Sequence, residues 1–264
     1  MMMQPIGIIG GSGFYDLLDD AEMFIHDNAY GRSSEMYKGK IEGYPVYFLP
    51  RHGPDHKIIV PRINYRANMQ AFKELGVQRI IATNSVGALN PDIALGDMVI
   101  PDDFFNMTKR SPFSMYDNTT EAYHISMTPA YCPIVRQTLI DCAEIVLPGR
   151  VHPKANLIVT EGLHYETQFE DRVFRSWGAD LIGMTTLPEA VFARELAMCY
   201  AHICLPNNYC IGVNIDADDL PVLLKEGVQN FKKIIRLAVP ALAKAEDTDC
   251  VCRHALDHAI LAKS

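Results

Sequence analysis

The chain has 264 residues, 48% of them hydrophobic and 21% charged, which suits a folded domain with a large buried core and excludes a disordered one. Two smaller domains would fit the length, but no linker, repeat or low-complexity tract divides the chain, so one domain is expected. A formal net charge of −8 argues against a nucleic-acid partner, whose phosphates need clustered Lys and Arg, and leaves any anionic substrate to be caught locally.

The opening MMMQPIGIIGGSGF lacks a basic leader region, and no apolar run approaches the roughly 18–20 residues that span a bilayer. A cytoplasmic protein without a membrane partner is expected. The seven cysteines then read as buried thiols, and their spacing makes no zinc pattern, so no metal is expected. Cys250-Val251-Cys252 stands apart as either a strained short-loop disulfide or a pair of idle thiols.

In chain order, β-branched apolar runs at 6–9, 46–49, 79–83, 98–100 and 157–159 predict strands, each bounded by Gly, Pro or Asn. Helical spacing predicts helices at 64–75, 135–145, 166–177, 188–199 and 220–243. This interleaving points to an α/β fold with a parallel or mixed sheet between helices, whose ligands bind near the carboxyl ends of strands. Residues 1–246 are expected to form the domain, and 247–264 a loosely attached tail.

Three strand ends carry donors. In Ile6-Gly7-Ile8-Ile9-Gly10-Gly11-Ser12-Gly13 a strand runs into glycines that let backbone N–H groups approach an anion, with the Ser12 hydroxyl beside them. No Lys follows, so it is no Walker A loop, and alone it is equally a tight turn. In Leu49-Pro50-Arg51-His52-Gly53, Arg51 offers a planar fork for phosphate oxygens and His52 a further donor; surface decoration is the competing reading. In Ala82-Thr83-Asn84-Ser85-Val86-Gly87, a strand empties into small polar residues that either complete an anion cradle or form an ordinary strand exit.

Together with Met184-Thr185-Thr186-Leu187-Pro188-Glu189, the stretch PRINYRAN at 61–68, Thr160-Glu161-Gly162 and Trp177-Gly178-Ala179-Asp180, these segments resemble the methylthioadenosine phosphorylase and purine nucleoside phosphorylase family, in order and over nearly the whole chain. The resemblance implies a single α/β domain with a distorted, barrel-like mixed sheet, assembled as a homotrimer or a dimer of trimers. It implies inorganic phosphate as co-substrate, held by Ser12, Arg51, His52, Asn84, Ser85 and Thr185, a purine nucleoside whose ribose meets Met184, and no metal or organic cofactor. His124 matches a residue that reaches the neighbouring subunit's 5′ pocket.

The base pocket departs from the adenine-specific branch. Where that branch has Asp-Tyr-Asp, this chain has Asn208-Tyr209-Cys210, and His164-Tyr165-Glu166-Thr167 resembles the element of 6-oxopurine phosphorylases. An Asn208 amide donates to O6 and accepts from N7–H, while Glu166 accepts from N1–H, so both favour hypoxanthine or guanine over adenine. The competing readings are a turn at Asn207-Asn208, a capping or solvent-facing Glu166, and a core Tyr165 instead of a platform for sugar and base. Ala217 and Leu220 match apolar positions that accept a 5′-methylthio group, so S-methyl-5′-thioinosine stands beside inosine and guanosine as expected substrate. The rivals are a methylthioadenosine phosphorylase and a nucleoside-binding protein without turnover. Relatives from hot environments further imply a disulfide between Cys132 and Cys199.

Overall fold

The structure is a computed structural model that describes residues 3–11, 13–53, 56–117, 119, 123–210, 220–245, 250–257 and 259. Ser12 and Ala217, both expected at the site, lie outside the described residues. After a wholly buried first strand, β1 (Ile6–Gly10), come β2 (Asp19–Phe24) and a small ribbon of β3 (Asp27–Asn28) with β4 (Gly31–Arg32). β5 (Met36–Ile41) and β6 (Tyr44–Pro50) form a hairpin whose turn residues, Glu42 and Gly43, both take positive φ. Helix α1 (Tyr65–Glu74) starts where the Asn64 side chain accepts the Ala67 N–H. β7 (Arg79–Ala88), β8 (Met98–Val99), β9 (Asp103–Asn106), α2 (Pro133–Val146), β10 (Val151–His152) and β11 (Asn156–Val159) follow. α3 (Gln168–Ser176) opens on a reciprocal cap between Thr167 and Glu170. β12 (Leu181–Gly183), α4 (Thr186–Glu195), β13 (Cys199–Tyr209) and α5 (Leu220–Lys244) complete the order.

This is the expected α/β domain with a large mixed sheet flanked by helices, and β7 is its axis. β13 runs parallel to β7 over the full strand, from Cys199 opposite Arg79 to Tyr209 opposite Ala88. β1 is also parallel to β7, but only over residues 79–82; at Gly87 and Ala88 the neighbour is β12, antiparallel. From β1 the sheet continues through β6, β5 and β2, from β13 through β8 and β10, and from β12 through β11 and β9. The branching distorts the sheet and parts the end of β1 from β12. The carboxyl ends of β1 and β6, the second half of β7 and the end of β12 therefore face one opening.

Beyond the five expected strands the structure forms eight more among the described residues, and two strands at the opening differ in ways that matter to the site. β7 does not empty into a loop at Asn84 but continues to Ala88, because β13 supplies hydrogen-bond partners along its length. β13 lies in a stretch for which no element was expected, and the helix expected over 188–199 ends at Glu195. Its sequence, CYAHICLPNNY, is buried continuously over its first eight residues, so it lacks the alternation of a half-exposed strand, and Pro206 speaks against a central strand. The register slips between Pro206 and Asn208, which absorbs the proline and turns the following residues towards the opening.

The described tail residues, 250–257 and 259, pack against the domain. Cys250, Cys252 and Ala259 are buried, Arg253 bonds the Gln78 side chain, and the Ala259 carbonyl accepts the His124 N–H at 2.8 Å. All seven cysteines are free, so neither the implied Cys132–Cys199 disulfide nor a Cys250–Cys252 bridge is formed; Cys132 and Cys199 each lie 3.6 Å from Cys250 Sγ instead. Among the described residues no helix is long and apolar enough to cross a membrane.

One buried ion pair ties these elements together. Arg51, just past β6, donates from Nε and Nη2 to the two carboxylate oxygens of Glu189 in α4, at 2.7 and 3.0 Å, and from Nη1 to the Thr83 carbonyl in β7 at 2.8 Å. Tyr200 of β13 donates its hydroxyl to the same carboxylate at 2.9 Å. Both charged side chains are 3% exposed, so removing one partner strands the other in a low-dielectric interior. Glu189→Ala should cost about 3–5 kcal/mol in urea unfolding, and Glu189→Gln less; a loss below about 1 kcal/mol for the alanine variant would mean that water reaches the pair.

Candidate active site

The opening leads into a cleft of about 560 Å³, within the size range of small-molecule sites. One end is built for an anion. Gly11, Arg51, His52, Asn84, Ser85 and Thr185 all line it, which brings the described members of the expected phosphate set together from β1, β6, β7 and the start of α4. Burial works against the charge of Arg51, and Glu189 more than restores it, so the guanidinium stays cationic. Glu189 and Thr83 engage three of its five N–H groups, which leaves two for a ligand. Asn84 donates from Nδ2 to Thr185 Oγ1 at 2.5 Å, so the Thr185 hydroxyl keeps its own proton for an incoming oxygen. Ser85 is the one exposed residue of β7 and opens into the cleft.

His52 departs from the expected donor. Its Nδ1 faces the Ile58 carbonyl at 2.9 Å, and burial, with Arg51 and the stacked His56 ring adding to it, pushes its pKa down to about 4. The neutral ring therefore carries its proton on Nδ1 and offers a lone pair at Nε2.

The other end is built for a flat polar ring. Tyr165, Glu166, Met184, Asn208 and Cys210 line it, with Thr160 beside them. Glu166 caps no helix, since Thr167 does that; one of its oxygens accepts from the Thr160 hydroxyl at 2.7 Å. Asn208 donates from Nδ2 to Cys210 Sγ at 3.3 Å, which fixes the amide and turns it away from a simple turn role. Burial raises the Cys210 thiol to about 12, so it stays neutral. Gly87 makes this packing possible, because a Cβ there would sit 2.3 Å from Cys210 Sγ. Tyr165 is 81% exposed in the single chain, which rules out the core-aromatic reading.

Three expected residues stand apart. Tyr209 belongs to β13 but does not line the cleft, and neither does Leu220, at the first turn of α5. Leu224, Val228 and Phe231, further along α5, supply an apolar wall with Phe14 instead. One helical turn makes the difference: the wall-forming face of α5 repeats from Leu224 at 3.6-residue spacing. His124 is exposed and lies away from the cleft of its own chain.

Sequence reasoning missed three supports. Arg110 donates to the carbonyls of Thr160, Glu161 and Leu187 and to the Glu161 carboxylate, pinning both walls beside Met184. His202 lies fully buried behind the anion end, 3.3 Å from Asn84 Oδ1 and from Thr186 Oγ1, and burial and Arg51 push its pKa to about 3. Asp171, 7% exposed, sits under the base end with a carboxylate oxygen within 4.8 Å of a Glu166 carboxylate oxygen and of Cys210 Sγ. An acid in a helix's first turn ordinarily reads as a partner for the helix dipole, which hid it.

Burial, then the nearby Glu166, raises the Asp171 pKa from 3.8 to about 6. The folded state therefore holds this proton more tightly than the unfolded one, so folding loses stability as pH rises from about 4 to above 6. Asp171→Asn should raise the midpoint of thermal unfolding at pH 7.5 and leave it unchanged at pH 4. An equal shift at both pH values would contradict this assignment.

Comparison with known proteins agrees with the geometry. Residues 5–244 match the model of the phosphorylase superfamily. A probable S-methyl-5′-thioinosine phosphorylase of Methanothermobacter thermautotrophicus is 40% identical, over 95% of this chain and 88% of its own. An S-methyl-5′-thioadenosine phosphorylase of Pyrococcus furiosus is likewise 40% identical, over 96% of this chain and 98% of its own. The crystal structure of a methylthioadenosine phosphorylase from an antarctic soil metagenomic library superposes with a TM-score of 0.93 at 32% identity, covering 100% of this chain and 94% of that one. The chain belongs to the phosphorylase superfamily and is a nucleoside phosphorylase of its methylthioadenosine and purine nucleoside phosphorylase branch.

Proposed function

We propose that the enzyme cleaves 6-oxopurine nucleosides with inorganic phosphate, in purine salvage in the cytoplasm, and that it accepts S-methyl-5′-thioinosine beside inosine and guanosine. The observation that carries this reading is the pairing of Glu166 and Asn208 at one end of a cleft whose other end gathers Arg51, Ser85 and Thr185. Phosphate lies across the free N–H groups of Arg51 and the Ser85 and Thr185 hydroxyls, and one of its oxygens faces the anomeric carbon. As the C–N bond breaks, the sugar gains positive charge that the phosphate stabilises, and the C–O bond to phosphate closes behind it. The purine leaves with negative charge. The Asn208 amide relieves that charge by donating to O6, water supplies the proton that N7 takes up as the base leaves, the amide oxygen accepts from that N7–H, and Glu166 accepts from N1–H. Adenine offers an acceptor at N1 where Glu166 needs a donor, a buried mismatch of order 10³-fold in kcat/KM. No metal or organic cofactor is needed for this transfer, because phosphate is the nucleophile and Arg51 carries the opposing charge.

The apolar wall of Phe14, Leu224, Val228 and Phe231 supports a 5′-methylthio substituent, with His56 on the same cleft as a partner for a 5′-hydroxyl. Exposed Leu163, Tyr165 and Phe169 near the cleft mouth, together with the outlying His124, support a homotrimer or dimer of trimers in which a neighbour completes the 5′ side. The adenine-specific alternative draws on relatives of equal similarity that carry the methylthioadenosine name. Asn208→Asp with Glu166→Ser should lower the kcat/KM ratio of inosine to adenosine by about 10²-fold or more, each single change giving part of it. An unchanged ratio in the double variant would overturn the base assignment.

A further inference from the structure

Four cysteines meet at one buried point on the far side of the fold from any role in the cleft. Cys132 precedes α2, Cys199 opens β13, and Cys250 and Cys252 come from the tail; all four are buried, at 0–6% exposure. Their sulfurs lie within 4.8 Å of one another, and Cys250 Sγ is 3.6 Å from both Cys132 Sγ and Cys199 Sγ. A tetrahedral zinc with Zn–S bonds of about 2.3 Å sets its sulfurs about 3.8 Å apart. The cluster thus has the ligand type, number and spacing of a closed structural zinc site.

The surroundings fit the charge such a site would carry. Zinc bound by four thiolates is a buried dianion, formed as the four thiols release their protons. Cys132 is the N-cap of α2, whose first-turn N–H groups have no side-chain cap, so the positive end of the helix dipole meets this sulfur. Arg79 is the register partner of Cys199, and Arg253 follows Cys252 directly. No spacing rule finds this set in the sequence, because Cys132 and Cys250 are 118 positions apart and Cys199 and Cys250 are 51 apart.

We propose that Cys132, Cys199, Cys250 and Cys252 bind one zinc ion, which fastens the tail to α2 and β13. Through the Ala259 carbonyl, the fastened tail holds the backbone of His124. This inference does not depend on which nucleoside the cleft accepts.

The test is metal and thiol counting on the purified full chain, prepared without chelator. Elemental analysis should find about one zinc per chain, and zinc-edge X-ray absorption should find four sulfurs at about 2.3 Å. The reduced, metal-stripped chain, titrated with Co²⁺ alone under anaerobic conditions, should develop the thiolate charge-transfer and tetrahedral ligand-field bands at one equivalent. Cys250→Ser with Cys252→Ser should abolish both zinc retention and the cobalt spectrum while the circular dichroism of the wild type is kept. Should that variant fail to fold, the wild-type count decides. Of the seven cysteines, four lie in the cluster, so a metal-free chain with only three alkylatable thiols in denaturant without reductant means two disulfides and overturns the proposal. Seven alkylatable thiols with no uptake of Co²⁺, or zinc retained by the folded double variant, overturn it equally.

Discussion

The contact between Arg51 and Glu189 is the constraint on which the site depends. A guanidinium buried at the end of a strand is costly unless its charge and its hydrogen bonds are both answered, and here a carboxylate from α4, the Thr83 carbonyl and, through Glu189, the Tyr200 hydroxyl answer them. The pair therefore fixes four elements relative to one another. It also leaves a permanently charged group with two uncommitted N–H donors at the cleft floor. A chain with net charge −8 can hold phosphate there because the attraction is short-range and water is largely excluded.

Around that charge, three ionisable groups, His52, His202 and Cys210, are held neutral. His52 and His202 are driven to about 4 and about 3, chiefly by burial and then by Arg51, so neither competes with it for an anion at neutral pH. His202 serves by position: it meets Asn84 Oδ1, and Asn84 in turn sets the Thr185 hydroxyl. At the base end burial pushes the Cys210 thiol to about 12 and keeps it neutral, while Asp171, raised to about 6, gives up its proton around neutral pH beneath Glu166 and the Asn208 amide. The cleft thus presents directed N–H and O–H donors at one end and selective polar groups at the other.

Much of this was legible in the sequence because it is written in local grammar. A β-branched run that stops at glycine or at small polar residues marks a strand end, which made Arg51, Asn84 and Ser85 candidates beside the plain turn and surface readings. The order of those motifs carried the family, and Asn208 and Glu166 stood out as departures from it. What escaped is what only tertiary packing creates. Glu189 is an ordinary helix acid until Arg51, 138 positions earlier, is brought against it. β13 went unassigned because a strand buried on both faces has no period of two, and the apolar wall came from Leu224 and not Leu220 because the register of α5 against the cleft is set by packing. The four-cysteine cluster escaped for the same reason: the sequence offers the pairs Cys132–Cys199 and Cys250–Cys252 separately, and their meeting point belongs to the fold.

Under the proposed function, the cleft reads a 6-oxopurine and transfers its sugar to phosphate. The most direct test is chromatographic detection of free base from inosine, guanosine, S-methyl-5′-thioinosine, adenosine and methylthioadenosine, each with and without phosphate. The account predicts phosphate-dependent release of hypoxanthine or guanine, with little adenine. Release of adenine alone would contradict the roles of Asn208 and Glu166, and binding without release of any base would contradict catalysis itself.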